Sequence, residues 1–252
     1  MGHSHLCTWC CSFFFSVVAI LVYPGVALLV GLLAWWLFQI PIRPKSSRKL
    51  VQLCEQELAR RADAPNFRLL VLTHYRVLAY EAALAASERF QQTLPAEFGT
   101  ADSLLHAHIL ICLGQPQHAV TVLTHLLERG IASATIYNNR GYAYNMLAEY
   151  LLAIQDCSQA IALQPSLAYA YNNRGLALHR LGMSAEGRAD IEHSLRLDSQ
   201  NAYAYRNLGI YHFDQGDYEA ALPLFERAHR QGTAPPELAD YLKRTRQQLG
   251  LS

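Results

Sequence analysis

The segment Tyr137-Asn-Asn-Arg-Gly141 recurs as Tyr171-Asn-Asn-Arg-Gly175 and, in relaxed form, as Tyr205-Arg-Asn-Leu-Gly209, with one constant interval between successive copies. Other positions keep the same register: Asn139, Asn173 and Asn207; Tyr150 and Tyr218; Ala153 and Ala221; Ala160 and Ala228. A fixed period of this length restricts the chain to an array of stacked units, because one such unit cannot bury its apolar face alone. Within the period, apolar residues fall at helical spacing in Tyr137–Leu147 and again in Tyr150–Leu163, so each unit is a pair of helices. Gly141, Gly175 and Gly209 lie inside the first helix, where Gly costs about 1 kcal/mol relative to Ala. A helix carries that cost where a neighbouring element must come close. Gly216-Asp217 supplies a turn between helices, and Pro165 stops one helix before the next begins.

If a repeat is opened at Ala134, Tyr137, Gly141, Tyr144, Ala153 and Pro165 take the Trp, Gly, Tyr, Ala and Pro positions of W-x2-L-G-x2-Y…A-x3-F…P. The chain thus resembles the tetratricopeptide repeat family, whose unit is about 34 residues long. Cys157 stands for the Phe of that pattern and Arg140 for its Leu. The second repeat has Gly187 at the Ala position, Ile191 at the Phe position and Ser199 for Pro. The third has Leu208-Gly209, Ala221, Phe225 and Ala228, with Thr233 for Pro. Upstream the pattern fades: Ala119 stands one period before Ala153, and Tyr80-Glu-Ala-Ala-Leu84 resembles Tyr218-Glu-Ala-Ala-Leu222. The expectation is an all-α solenoid of about five helix pairs. Two degenerate repeats span 64–133, three clear ones span 134–167, 168–201 and 202–235, and a capping helix fills 236–252, with Lys243, Arg244 and Arg246 on its wet side.

Ahead of the repeats the sequence expects a short tail (1–12), a transmembrane helix (13–40), and a basic juxtamembrane linker and helix (41–63). From Phe13 to Ile40 there is no Asp, Glu, Lys or Arg, and about 20 apolar residues suffice to cross a bilayer as a helix. Trp35 and Trp36 sit near one end, where indoles favour the lipid–water boundary. The preceding tail has no Lys or Arg, and the apolar run exceeds that of a cleaved signal peptide, so a retained anchor is expected. Pro24-Gly25 kinks a single span, with a re-entrant hairpin as the alternative. Arg43, Lys45, Arg48 and Lys49 follow the run and place the C-terminal part in the cytoplasm. Cys7-x-x-Cys10-Cys11 beside His3 and His5 has spacing that zinc or acylation could use, but one CxxC without a second pair favours no ligand. Cys54, Cys112 and Cys157 read as small apolar core residues.

Balanced charge excludes other classes. Basic side chains number 21 and acidic ones 20, a net charge of +1, which is too little to hold a phosphate backbone, so no nucleic acid is expected. With 52% hydrophobic and only 16% charged residues the chain is not disordered. No phosphate loop, dinucleotide fingerprint, zinc-helix motif or nucleophile elbow occurs. His106 and His108 are two apart and point to different sides of a helix; His118 and His125 are isolated. No enzyme activity, metal, cofactor or small-molecule substrate is expected.

The resemblance implies that the first helix of each repeat lines a concave groove, with Asn139, Asn173 and Asn207 facing inward. Two readings stay open for them: a ladder of amides that binds the backbone of an extended peptide, or a consensus residue that holds helix geometry. Asn138, Asn172 and Arg206 are expected in the same groove, with Tyr142, Asn145 and His179. Asn138 and Tyr142 stand where some family members carry the Lys and Asn of a carboxylate clamp, which argues against that clamp here; Arg206 and Arg180 could still attract an acidic group. The functional expectation is a membrane-anchored scaffold that docks partner peptides or proteins for complex assembly. The alternatives are a structural subunit of a larger membrane complex and an envelope-facing assembly factor.

Overall fold

A computed structural model describes residues 44–231 and 236–251. The expected membrane segment, the cysteine–histidine tail, and Arg43 lie outside them. Among the described residues, no helix is long and apolar enough to cross a membrane, and every regular element is a helix. These are α1 (Pro44–Arg60), α2 (Ala64–Arg76), α3 (Tyr80–Thr93), α4 (Thr100–Cys112), α5 (Pro116–Glu128), α6 (Ala134–Met146), α7 (Tyr150–Leu163), α8 (Ala168–Arg180), α9 (Ser184–Leu197), α10 (Ala202–Asp214), α11 (Tyr218–Arg230) and α12 (Pro236–Gln248). The chain divides within α5 into two compact units, one up to Ala119 and one from Val120 onward.

In the first unit α2 begins on Asp63, whose side chain accepts from the Asn66 N–H, with Pro65 in the first turn where its missing N–H costs nothing. Phe67 of α2 stacks on Phe90 of α3 with ring centroids 5.3 Å apart. Cys54, Leu58, Leu70, Ala83 and Ile109 close the core around them. Cys112, by contrast, is exposed at the end of α4 rather than part of a core. Arg68 crosses to Asp102 of α4 with two 2.8 Å hydrogen bonds, and Asp102 also accepts from the Gly99 N–H at the start of α4. Ser87 of α3 and His106 of α4 share a buried 2.9 Å hydrogen bond.

The second unit stacks the helix pairs α6/α7, α8/α9 and α10/α11, and the second helix of each of the first two pairs also packs on the first helix of the next. The three repeat glycines sit at equivalent tight contacts. A Cβ on Gly141 would meet Cys157 Sγ at 2.7 Å, on Gly175 the Gly187 carbonyl at 2.6 Å, and on Gly209 the Phe225 ring at 2.6 Å. Cys157, Ile191 and Phe225 hold one register position of the repeat and are fully buried, so a single position serves all three crossings with a side chain of different size. Burial also raises the Cys157 thiol pKa, leaving it an inert apolar residue.

The turn inside each pair needs a left-handed residue. Gly182 and Gly216 supply it at φ 84° and 78°. Ala148, at the same register, adopts φ 59° without the glycine. Beyond α11, α12 buries Leu238 and stacks Tyr241 on Phe225 with centroids 5.3 Å apart. Its Lys243, Arg244 and Arg246 are exposed.

Candidate functional site: the first-helix face of the repeats

The Tyr-x-Asn-x-Gly signature lies on α6, α8 and α10, and its two sides perform different work. On one side adjacent asparagines are joined into a continuous chain. Asn207 Nδ2 donates to Asn172 Oδ1 at 2.9 Å, and Asn172 Nδ2 to Asn173 Oδ1 at 3.3 Å. Asn173 Nδ2 donates to Asn138 Oδ1 at 3.0 Å, and Asn138 Nδ2 to Asn139 Oδ1 at 3.3 Å. At the other end Arg206 Nε donates to Asn207 Oδ1 at 2.9 Å. Asn145 adds a bond from its Nδ2 to the Asn173 carbonyl at 2.8 Å. The members of the chain, Asn138, Asn139, Asn172, Asn173, Arg206 and Asn207, are 1–8% exposed. The predicted site residues are thus brought together, but their amides are engaged by one another, which ties α6 to α8 and α8 to α10.

The basic side chains of this face are likewise paired within the molecule. His179 is buried, with Nδ1 3.1 Å from Ser184 Oγ and Nε2 2.9 Å from Asp214 Oδ2, so it links α8 to α9 and α10. Arg180 lies 3.2 Å from the same carboxylate and donates to the Tyr241 hydroxyl at 3.3 Å. The guanidinium of Arg206 lies 3.6 Å from Glu237 of α12. Arg206 and Arg180 therefore already have acidic partners.

A tyrosine stands three positions from a member of that hydrogen-bonded chain on each of these helices. Tyr142 of α6, Tyr169 of α8 and Tyr203 of α10 are half-buried. Tyr203 meets Tyr142 edge to face at 6.4 Å and Tyr169 at 6.3 Å between centroids. The Arg206 guanidinium sits 5.6 Å from the Tyr203 ring.

On the opposite side of the signature, Arg140 forms a bidentate bridge to Asp156 at 2.7 and 2.8 Å and donates to Thr124 Oγ1 at 3.1 Å. Arg174 repeats this with Asp190 at 2.7 and 2.9 Å and with Ser158 at 3.3 Å. The carboxylate hydrogen bonds hold both guanidinium pKa values above their ordinary level. No group of three or more His, Cys, Asp or Glu side chains among the described residues could hold a metal ion.

One tetratricopeptide-repeat family model matches residues 134–167 and a second matches 166–233. Residues 134–233 are tetratricopeptide repeats. The crystal structure of TTC0263, a thermophilic TPR protein in Thermus thermophilus, is 23% identical, covering 74% of this chain and 99% of that one with a TM-score of 0.61. MamA from Desulfovibrio magneticus RS-1, residue 41 to the end, is 21% identical over 66% of this chain and 92% of that one, with a TM-score of 0.51. At these identities the likeness is one of fold. No curated protein matches the chain.

Within the tetratricopeptide array, sequence reasoning did not single out Asp156, Asp190, Thr124 and Ser158, although a signal for them exists. Arg140 and Arg174 each stand 16 positions before their carboxylate, and the third repeat changes both partners together, to Leu208 and Leu224. Arg140 departs from the family Leu because Asp156 is there to meet it. Tyr169 and Tyr203 likewise share one register position in successive repeats.

Proposed function

We propose that this tetratricopeptide protein is a membrane-tethered docking scaffold whose first-helix face receives segments of other proteins and assembles them into a complex. The three half-buried tyrosines on three successive first helices carry the reading. Aromatic rings with a polar edge are what protein-binding faces present to a partner, and here they stand on helices already locked together. Asn138, Asn139, Asn172, Asn173, Arg206 and Asn207 form the floor of this groove, His179 one end of it, and Tyr142 part of its contact surface. A pre-stacked floor loses little ordering entropy when a segment docks.

The tether is the uncharged run from Phe13 to Ile40, with the repeats on the cytoplasmic side by the charge that follows it. Confinement to the membrane surface raises the effective concentration of the groove toward membrane-bound partners. Crosslinking in native membranes, with the full chain against a Tyr142→Ala/Tyr169→Ala/Tyr203→Ala variant, tests the docking. The crosslinked partner bands disappear in the variant, and bands of equal strength would overturn the reading. Retention of the full chain in the membrane pellet through alkaline carbonate, and its release when residues 13–40 are deleted, tests the tether.

A further inference from the structure

A different chemistry gathers where α8, α9 and α10 meet at their ends, and it stands apart from the docking reading. We infer that Ser184, His179 and Asp214 form a nucleophile, a base and an orienting carboxylate that together transfer small apolar acyl groups from esters to water. His179 Nδ1 lies 3.1 Å from Ser184 Oγ, and its Nε2 lies 2.9 Å from Asp214 Oδ2. A carboxylate can only accept. It therefore fixes the proton of the neutral ring on Nε2 and leaves Nδ1 to accept from the Ser184 hydroxyl. That is the order that activates a serine: the nucleophile, its base, and a group that orients the base. Arg180 donates to the same Asp214 oxygen at 3.2 Å and holds it in place. Ser184 opens α9 and Asp214 closes α10, 35 positions beyond His179, so no contiguous motif announces the set.

The repeat register shows what has changed here. Ser184 stands where the flanking repeats carry Tyr150 and Tyr218, and His179 where the next repeat carries Phe213. Phe213 and Tyr218 fill that place with two rings, their centroids 5.2 Å apart. The middle repeat exchanges both rings for a hydrogen-bonded base and hydroxyl, and gives up the bulk of a phenol at the nucleophile's position. Ser184 is half-buried beside the exposed Ala185 and Glu186, so the serine meets solvent, while His179 is only 8% exposed. The N-cap of α9, Met183, makes no side-chain cap bond. First-turn N–H groups have no partner within their own helix, and these are the donors available to an oxyanion formed at Ser184. Leu181 and Met183, 41% and 44% exposed, offer apolar contact to the acyl chain. In the reaction Ser184 Oγ bonds to the ester carbonyl carbon as its proton passes to His179 Nδ1, and that proton then leaves with the alcohol. Water reverses the sequence: it gives a proton to Nδ1, bonds to the acyl carbon, and frees the acid as the proton returns to Ser184.

Purified full chain in detergent micelles is treated with a fluorophosphonate, the adduct is located by mass spectrometry, and p-nitrophenyl acetate hydrolysis is followed in parallel. The adduct is expected on Ser184, with turnover about a hundredfold above that of Ser184→Ala, the scale of a positioned base. His179→Asn, which installs the residue that the preceding repeat carries as Asn145, is expected to lose both the adduct and that factor. Asp214→Asn is expected to lower kcat about tenfold with KM unchanged. Asp214→Glu restores most of it, the mark of a positioning residue rather than of a structural one. A thermal melt on each variant establishes that it is folded. A full chain whose Ser184 stays unlabelled overturns the inference, as does hydrolysis that survives Ser184→Ala. Labelling indifferent to a folded His179→Asn variant overturns it too. The docking role is read separately by the crosslinks and stands or falls without this result.

Discussion

Asn172 stands in the middle repeat and accepts a hydrogen bond from Asn207, 35 residues further on, at 2.9 Å. It also donates to Asn173 of its own helix, which in turn reaches back to Asn138 of the preceding repeat. One side chain, 1% exposed, thereby couples three repeats. Asn172→Ala leaves the Asn207 donor and the Asn173 acceptor buried and unpaired, and is expected to destabilise the array by about 2–3 kcal/mol. Urea unfolding followed by circular dichroism measures this, and a loss below about 0.5 kcal/mol, the surface-substitution range, would show the chain of amides to be dispensable.

The Arg174–Asp190 bridge makes a sharper test, since the third repeat already contains the alternative. Arg174→Leu alone leaves the mostly buried Asp190 carboxylate and the Ser158 hydroxyl without their donor, at a cost of about 3 kcal/mol. Arg174→Leu with Asp190→Leu recreates the pair found as Leu208 and Leu224, and recovers most of that loss. A double-mutant cycle gives the coupling directly; additive single effects would contradict the bridge.

Leu78 and Ala148 hold left-handed backbone at φ 60° and 59°, where a side chain strains the chain by about 1–2 kcal/mol. Leu78 is 67% exposed and contributes little burial. Leu78→Gly and Ala148→Gly are each expected to stabilise by about 0.5–1 kcal/mol after the entropy of the added glycine is deducted. Thermal melts should move upward for both.

His106 is buried against Ser87, and desolvation holds its pKa below the ordinary 6.5. As pH falls below that value the unfolded chain takes up the proton first, so stability present at pH 7 declines through the window beneath 6.5. His74 and His108 shift in the same direction for the same reason. His106→Gln should flatten, without abolishing, the dependence of stability on pH between 7 and 5, measured by urea midpoints. An unchanged slope would mean that His106 stays solvated.

Much of this is legible from the period alone. The register of the repeat locates the helix pairs and the tight glycine crossings, because steric contact recurs wherever backbone geometry recurs. The recurrence of Asn is visible too. Its direction is not, since an amide's donor and acceptor can serve a ligand or a neighbouring repeat equally well, and only the 35-residue step between Asn207 and Asn172 reveals the partner. Arg140 looks like a lapse from the family Leu because its compensation, Asp156, sits on another helix. Cys112 departs from expectation for a simpler reason: helical periodicity gives a face, and the last residue of α4 has no following helix turn to cover it.

The Asn207–Asn172–Asn173–Asn138 chain also governs how the array comes apart. Solenoids commonly fray from their ends, because each terminal unit answers to a single neighbour. Here the departure of any one repeat strands an amide on the next, so the first detachment is the hardest step and invites the second. Residues 134–214 should therefore melt as one zipper rather than repeat by repeat, and a docked partner would find the whole groove or none of it.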